Sequence, residues 1–347
     1  MPTESYARAG VDLERVRRIQ RSLAEQMGGT FAFRRGRAGF PTRPIGHYGG
    51  VIDIGGGVWL TLHADGVGTK VLIAQQMEKF DTVGIDCVAM TVNDLICLGS
   101  EPVALLDYIA LEREDDALVE ELGKGLVEGA RVASVAIVGG ETAVMRDVIR
   151  GVRGRGFDLA AMGVGLVKPK EVIDGSGIVD GDAVLGVASS GLHSNGFTLA
   201  RRVFRKRSLE EHVDELGLTL GDALLTPTSI YVKPTLDAVR RLDIHGIAHI
   251  TGGSFSKLKR LAPDRNLAFD LTLPPPTGIF KLLMDEGGIE AREMYRTFNM
   301  GIGMCLCLPE GELGRAARIF RSCGFKSQRV GTVRRGKGVR VNGLAVG

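Results

Sequence analysis

The chain has 347 residues, a formal net charge of +3 and 44% apolar residues. That length suits two domains or one large one, and so small a charge makes no demand for a nucleic-acid or membrane partner. No run of about 18 uncharged apolar residues occurs, the N-terminus lacks a signal-peptide core, and five cysteines without metal spacing suit reduced thiols, so the expectation is a cytoplasmic protein.

Residues 1–50 are rich in glycine and arginine and read as mobile, with one amphipathic helix near Leu13 to Met27. From Val51 the pattern settles into strands and helices. A strand over 58–64 meets Asp65 and then Gly66-Val67-Gly68-Thr69-Lys70. Glycines let a backbone approach a ligand, exposed N–H groups face anions, and a carboxylate beside phosphate suits Mg²⁺. Such turns also serve as plain strand–helix connectors, and this one lacks the spacing of a P-loop. A helix over 83–98 follows, apolar almost all round, with Gly99 as its stop and Pro102 just beyond. A helix of that kind is buried, yet it carries Asp86, Asn93 and Asp94. Buried carboxylates are costly unless paired or metal-bound. Asp86 is expected to cap or bridge a neighbouring loop, and Asp94 to hold a metal. A strand over Val103 to Leu111, a helix over Asp115 to Val132 and a strand over Val135 to Val138 come next, the last ending in Gly139-Gly140-Glu141-Thr142. Ligands collect beyond the carboxyl ends of strands in open α/β sheets, so Asp65, Asp94 and Glu141 are expected to converge on Mg²⁺. The competing reading makes Glu141 a helix-start residue. A strand over Leu159 to Val167 closes this unit, and Pro169 with the turn-rich 174–182 stretch marks a boundary.

The second unit opens with a strand over Ala183 to Ala188 and the loop Ser189-Ser190-Gly191-Leu192-His193-Ser194-Asn195-Gly196, with a helix from about Gly196. Its N–H groups and hydroxyls suit a phosphate at a helix start, although serine and asparagine also serve as ordinary caps. His193 is a base, a phosphate partner or a scaffold contact. A helix over Thr228 to Leu242, strands over Ile247 to Ile250 and Ile302 to Leu308, and a helix over Leu313 to Phe320 complete the pattern. His245 and His249 flank the first of these strands and read as structural, with His249 near the site. Cys305 and Cys307 read as core. Arg296 offers a planar fork for phosphate or carboxylate, with an exposed salt bridge as the bland competitor. Mixed elements in both halves point to two α/β domains.

Together these segments resemble the phosphoribosylformylglycinamidine cyclo-ligase (aminoimidazole ribonucleotide synthetase) family. The residues that carry the likeness are YARAGVD at 6–12, DGVGTK at 65–70, GIDCVAMTVNDL at 84–95, VGGETA at 138–143, SSGLHSNG at 189–196, IAHITGG at 247–253 and EMYRTFN at 293–299. They run in order over nearly the whole chain. The resemblance implies a two-domain α/β fold with mixed sheets: a mobile 1–50 segment, an ATP- and Mg²⁺-binding domain over 51–168 that forms a homodimer interface, and a substrate domain over 169–347. It implies ATP-dependent closure of formylglycinamidine ribonucleotide to aminoimidazole ribonucleotide. Phosphoryl transfer makes the formamide oxygen a leaving group, and such chemistry rests on positioning and charge neutralisation.

The residues expected to act are Asp65, Lys70, Asp94 and His193. ATP contacts are expected from Arg8, Gly66, Gly68, Thr69, Lys70, Asn93, Gly139 and Gly140, and metal contacts from Asp65, Asp94 and Glu141. Substrate contacts are expected from Ser189, Ser190, Gly191, His193, Ser194, Asn195, Arg296 and Asn299. Two departures stand out: Ala7-Arg8 replaces the usual Lys-Asp near the expected ATP phosphates, and Ser254 replaces a frequent third glycine. The N-terminal segment is expected to close over ATP, with Arg8 contributing modestly and Lys70 more. The competing functions are a related ATP-using phosphotransferase, of the thiamine-monophosphate kinase or selenophosphate synthetase type, and a silent nucleotide-binding regulator. The presence of Asp65, Asp94 and Glu141 speaks against the last.

Overall fold

The computed structural model describes residues 13–263 and 265–346. Arg8 and the Tyr6 to Asp12 segment lie outside the described residues. The expected first helix is present as α1 (Leu13–Gly28).

A six-stranded sheet forms the first unit: β1 (Phe40–Pro41), β2 (Gly50–Asp53), β3 (Trp59–Gly66), β4 (Glu101–Leu111), β5 (Ala136–Val144) and β6 (Phe157–Val167). Their spatial order is β1-β2-β3-β6-β4-β5, antiparallel throughout except for the parallel β4/β5 pair. The alternation of β6 shows which face is covered. Phe157, Leu159 and Ala161 are buried, whereas Asp158 and Met162 are exposed. On the covered side lies α3 (Asp81–Ile96), backed by α4 (Asp116–Ala133), while α2 (Val71–Met77) packs toward the second unit. A side chain at Gly163 of β6 would strike Thr91 and Leu95 of α3, so helix and sheet touch closely. α3 and α4 approach closer still. A Cβ at Gly84 would sit 2.5 Å from the Leu126 backbone nitrogen, and one at Gly125 only 1.8 Å from the Asp81 carbonyl oxygen. Sandwiched in this way, α3 is buried at every position from Thr82 to Ile96 except Ile85. Gly99, at φ +71°, ends it as expected.

The second unit has a seven-stranded mixed sheet. Its strands are β7 (Ala183–Ala188), β10 (Gly246–His249), β11 (Leu267–Leu271), β12 (Ile302–Leu308), β13 (Ser327–Arg335), β14 (Gly338–Val341) and β15 (Leu344–Ala345); β8 (His212–Val213) and β9 (Leu218–Thr219) form a separate hairpin. The order is β10-β12-β7-β13-β11-β14-β15. Cys305 and Cys307 lie on fully buried β12, as expected of core residues. The helices are α5 (Phe197–Val203), α6 (Leu220–Leu225), α7 (Val232–Arg241), α8 (Gly278–Gly287), α9 (Ala291–Thr297) and α10 (Leu313–Ser322).

Two boundaries differ from expectation, and both matter for the site. β5 does not stop at Val138 but runs through the two glycines to Val144, because β4 offers it a parallel partner on both sides of a register shift at Val138. The expected helix at 228–242 begins only at Val232. Thr228 to Tyr231 is instead a loop, held by side chains of α3.

Candidate active site

Period-2 alternation along β3 puts Thr61, His63 and Asp65 on the face that looks toward α3. There they meet Asp94. His63 Nε2 lies 3.3 Å from Asp94 Oδ2 and 3.8 Å from Asp65 Oδ2. The Gly66 N–H donates to Asp65 Oδ1 at 2.8 Å. Asp94 is almost fully buried, and its Oδ1 is hydrogen-bonded to His249 Nδ1 at 2.7 Å. Lys257 Nζ stands 4.0 Å from Asp94 Oδ2 and donates to the Thr251 hydroxyl. Burial alone would raise the Asp94 carboxyl. The Lys257 ammonium, the His249 bond and His63 outweigh it and hold the group well below the usual carboxylate range. Asp94 is therefore an anion at any physiological pH.

Glu141 does not join this group. Asp65 pairs with Ala161, Ala161 with Asp107, and Asp107 with Gly140, so these residues share one row and face across β3, β6, β4 and β5. Three strand spacings separate Asp65 from Gly140, about 14 Å. Glu141, next along β5, pairs with Tyr108 and projects from the opposite, uncovered face. The expected three-carboxylate convergence is corrected to Asp65 and Asp94 with His63. Gly140 has a structural reason to be glycine: a Cβ there would fall 2.3 Å from Asp107 Oδ1. Gly139 and Gly140 are exposed on β5, three strands from the Asp65 turn.

Lys70 is the second correction. It is fully buried, with Nζ 2.7 Å from Asp86 Oδ2, and it donates to the Thr226 carbonyl at 2.8 Å. Burial lowers its pKa, and Asp86 opposes that shift. An ammonium so engaged joins the two units and does not reach for a phosphate. Asp86 does what its buried position suggested. Its Oδ1 accepts from the Thr228 N–H at 2.7 Å and the Thr228 hydroxyl at 2.5 Å. Asn93, expected at ATP, is likewise occupied: its Oδ1 accepts from the Tyr231 N–H at 3.0 Å and its Nδ2 donates to the Ser229 carbonyl at 2.8 Å. What remains open in this turn is the backbone at Gly68, φ +68°, and exposed Thr69, whose hydroxyl lies 3.3 Å from that of Thr198; the Gly66 and Val67 N–H groups are taken by Asp65 Oδ1 and the Leu159 carbonyl.

The 189–196 loop adjoins this seam. Most of its hydroxyls hold the loop itself. Ser189 donates to Asn299 Oδ1 at 2.9 Å, Ser190 to the Pro227 carbonyl at 2.5 Å, and Ser194 lies 3.2 Å from the Thr228 hydroxyl. Asn299 Nδ2 donates to the Gly191 carbonyl at 2.8 Å. The Ser190 N–H donates to His193 Nε2 at 3.3 Å, leaving the ring proton on Nδ1. His193 is buried with a left-handed backbone, φ +62°, a conformation that costs about 1–2 kcal/mol for such a residue. Burial, then His249 and Lys70, push its pKa well below the usual histidine value, so the ring is neutral. Two buried polar atoms of the loop have no hydrogen-bond partner among the described residues: His193 Nδ1 and Asn195 Nδ2. The His193 and His249 rings are 6.3 Å apart, which links the loop to Asp94. Arg296 is half-buried in the last turn of α9. Ser254 occupies a left-handed position, φ +45°, where glycine would be unstrained, and its hydroxyl donates to the Phe298 carbonyl at 2.6 Å.

Over 342 residues the chain is 46% identical to phosphoribosylformylglycinamidine cyclo-ligase of Thermococcus kodakarensis, covering 99% of each protein. The chain belongs to that family. The cyclo-ligases of Pyrococcus furiosus (45% identity, 99% of this chain and 98% of the relative) and Methanocaldococcus jannaschii (43%, 95% and 92%) agree. Family models described as AIR synthase related protein match residues 46–167 with their N-terminal domain and 179–343 with their C-terminal domain. Among solved structures, thiamine-monophosphate kinase from Stenotrophomonas maltophilia aligns at TM-score 0.62 with 18% identity, over 91% of this chain and 94% of that one. Hydrogenase maturation protein HypE in complex with ATP aligns at 0.59 with 21% identity, over 83% and 82%. At such identities these structures establish the two-domain fold alone.

Within this cyclo-ligase chain, the donor set at β3 and α3 fits a divalent cation: two carboxylates and a buried, unpartnered imidazole nitrogen. Sequence reasoning missed His63 and Lys257. The first was findable, because His63 and Asp65 are two apart on one strand and share its face. Lys257 carried no such signal.

Proposed function

We infer that the chain closes the imidazole ring of formylglycinamidine ribonucleotide in an ATP-dependent reaction that yields 5-aminoimidazole ribonucleotide, ADP and phosphate. The single observation that carries this reading is the 46% identity over 99% of both chains. The geometry supports it.

Transfer of the γ-phosphoryl group to the formamide oxygen creates a phosphate leaving group. The amidine nitrogen then attacks the same carbon, the C–N bond forms, and the C–O bond to phosphate breaks. No side-chain nucleophile is needed. The protein's task is placement and charge. Asp65 and Asp94 would hold Mg²⁺, which when bound neutralises phosphate charge. The exposed backbone at Gly68 and Thr69 is offered to ATP. His193 Nδ1 and Asn195 Nδ2 are the donors the loop keeps free for the ribonucleotide. Asn299, Ser189 and Ser190 hold that loop in shape. A neutral His193 suits a hydrogen-bond donor better than a phosphate counter-charge.

The uncovered face of the first sheet supports a homodimer: Leu106, Tyr108, Met162 and Leu166 are all exposed there. The division at 51–168 and 169–347 and a cytoplasmic location belong to the same reading. Among the described residues no helix is long and apolar enough to cross a membrane.

The test is direct. The protein is incubated with formylglycinamidine ribonucleotide, ATP and Mg²⁺, and aminoimidazole ribonucleotide and ADP are quantified. Equal yields of both are expected. ADP without the imidazole product, or neither, overturns the reading.

A further inference from the structure

His63 Nε2 is buried, faces two carboxylates and has no hydrogen-bond partner among the described residues. A histidine that served only to orient Asp94 would donate that proton in good geometry, as His249 does from the other side at 2.7 Å. The ligand atoms of His63, Asp65 and Asp94 all lie within 4.8 Å of one another. Donors in neighbouring positions around one small octahedral ion, each about 2.1 Å from it, sit about 3 Å apart. The His63–Asp94 separation of 3.3 Å is already near that value, and Asp65 Oδ2 lies 3.8 Å from His63 Nε2 while its Oδ1 is held by the Gly66 N–H.

We propose that His63 completes a His–Asp–Asp cation site with Asp65 and Asp94, and that this site takes Mn²⁺ in preference to Mg²⁺. Mg²⁺ is a hard ion bound almost wholly through charge and oxygen, whereas an imidazole nitrogen favours first-row transition metals. The local charge sharpens the difference. Lys257 stands 4.0 Å from Asp94 Oδ2, so the two carboxylates and this ammonium sum to one negative charge. That is a weak attraction for an ion held by charge alone. A nitrogen donor adds bonding that the ammonium does not cancel. His249 does not compete for the role, since its Nδ1 is already committed to Asp94 Oδ1 and the ring is fully buried. This inference deepens the proposed function, because the same ion would lie on the nucleotide phosphates, and it rests on that reading for its role but not for its test.

The test uses the full-length protein and Mn²⁺ alone, without nucleotide or ribonucleotide. Pulsed EPR should show one directly coordinated imidazole nitrogen in the wild type and none in His63→Asn. Calorimetry should show Mn²⁺ affinity reduced about tenfold or more in that variant, the range seen when metal-site support is lost. Mg²⁺, read by competition, should change much less. No nitrogen coupling in the wild type, no Mn²⁺ binding, or equal losses for both ions would each overturn the proposal. If His63→Asn fails to fold, the wild-type spectrum and His63→Gln decide. Product formation with a nitrogen-free Mn²⁺ spectrum would sink this inference and leave the cyclo-ligase reading standing. Nitrogen coupling without product formation would do the reverse.

Discussion

Lys70→Met distinguishes a lysine that binds ATP from one that holds the two units together. Lys70 and Asp86 have no exposed side-chain surface and meet at 2.7 Å. Removing the ammonium leaves a carboxylate buried with only the two Thr228 donors, and breaking a buried pair in this way costs about 3–5 kcal/mol. The Thr226 carbonyl loses its 2.8 Å donor as well, which adds about 1 kcal/mol. Against a usual stability of about 5–15 kcal/mol this is a large fraction. At about 2–4 °C per kcal/mol, the apparent melting midpoint should fall by about 8–24 °C. Lys70→Met/Asp86→Asn should recover much of the loss, because the amide oxygen still accepts from Thr228 and no charge is stranded. The assay is thermal unfolding by circular dichroism, with ATP binding measured well below each midpoint. An unchanged midpoint with severely weakened ATP binding would refute the reasoning and restore Lys70 as a phosphate contact.

Asp94→Asn should keep the fold and lower turnover about 10²-fold or more, as lost phosphoryl-charge stabilisation predicts; equal turnover at limiting divalent cation would remove Asp94 from the site. His193→Ala should raise KM for the ribonucleotide or slow its use with ATP affinity nearly unchanged, and calorimetry showing the opposite pattern would reassign the loop. His245 offers a pH test. Burial lowers its pKa, but Asp182 at 2.7 Å and Asp243 at 3.2 Å outweigh this and raise it above the ordinary value. Its contribution is therefore fully present below the unfolded pKa of about 6.5 and is lost as pH rises through the higher folded value. His245→Asn should destabilise the protein most at mildly acidic pH and least in alkali, and a pH-independent difference in melting midpoint would contradict the assignment. Met162→Arg tests the proposed homodimer on the uncovered sheet face: the wild type should sediment as a dimer and the variant as a monomer, and a monomeric wild type or an unshifted dimer would refute that interface.

The sequence revealed what composition and period govern. The all-round apolar character of α3 announced its burial, and buried Asp86 had to find a partner loop, which it does at Thr228. The 189–196 segment was legible as a loop between strand and helix. Lys70 was not legible, because a three-residue turn after β3 decides whether the next side chain faces solvent or core, and no periodicity spans so short a turn. Glu141 failed for a related reason. Two glycines read as the end of a strand, yet β5 continues through them against β4, and one further residue of alternation sends Glu141 to the far face. The hydroxyls of Ser189, Ser190 and Ser194 were readable as donors, but what they donate to depends on Asn299, Pro227 and Thr228, which are distant in sequence.

The seam around α3 has a consequence for how such a chain can be divided or recombined. Each sheet has its own strand order, and a cut between Val167 and Ala183 breaks no strand. Yet Lys70, Asp86, Asn93 and Asp94 on one side find their partners in Thr226, Thr228, Ser229 and His249 on the other. A half expressed alone would expose charges that evolved in the dark, and a chimera joining halves from two relatives must bring both sides of these four contacts together. What must travel together is the pair of facing surfaces, even though the covalent chain would part cleanly between two sheets.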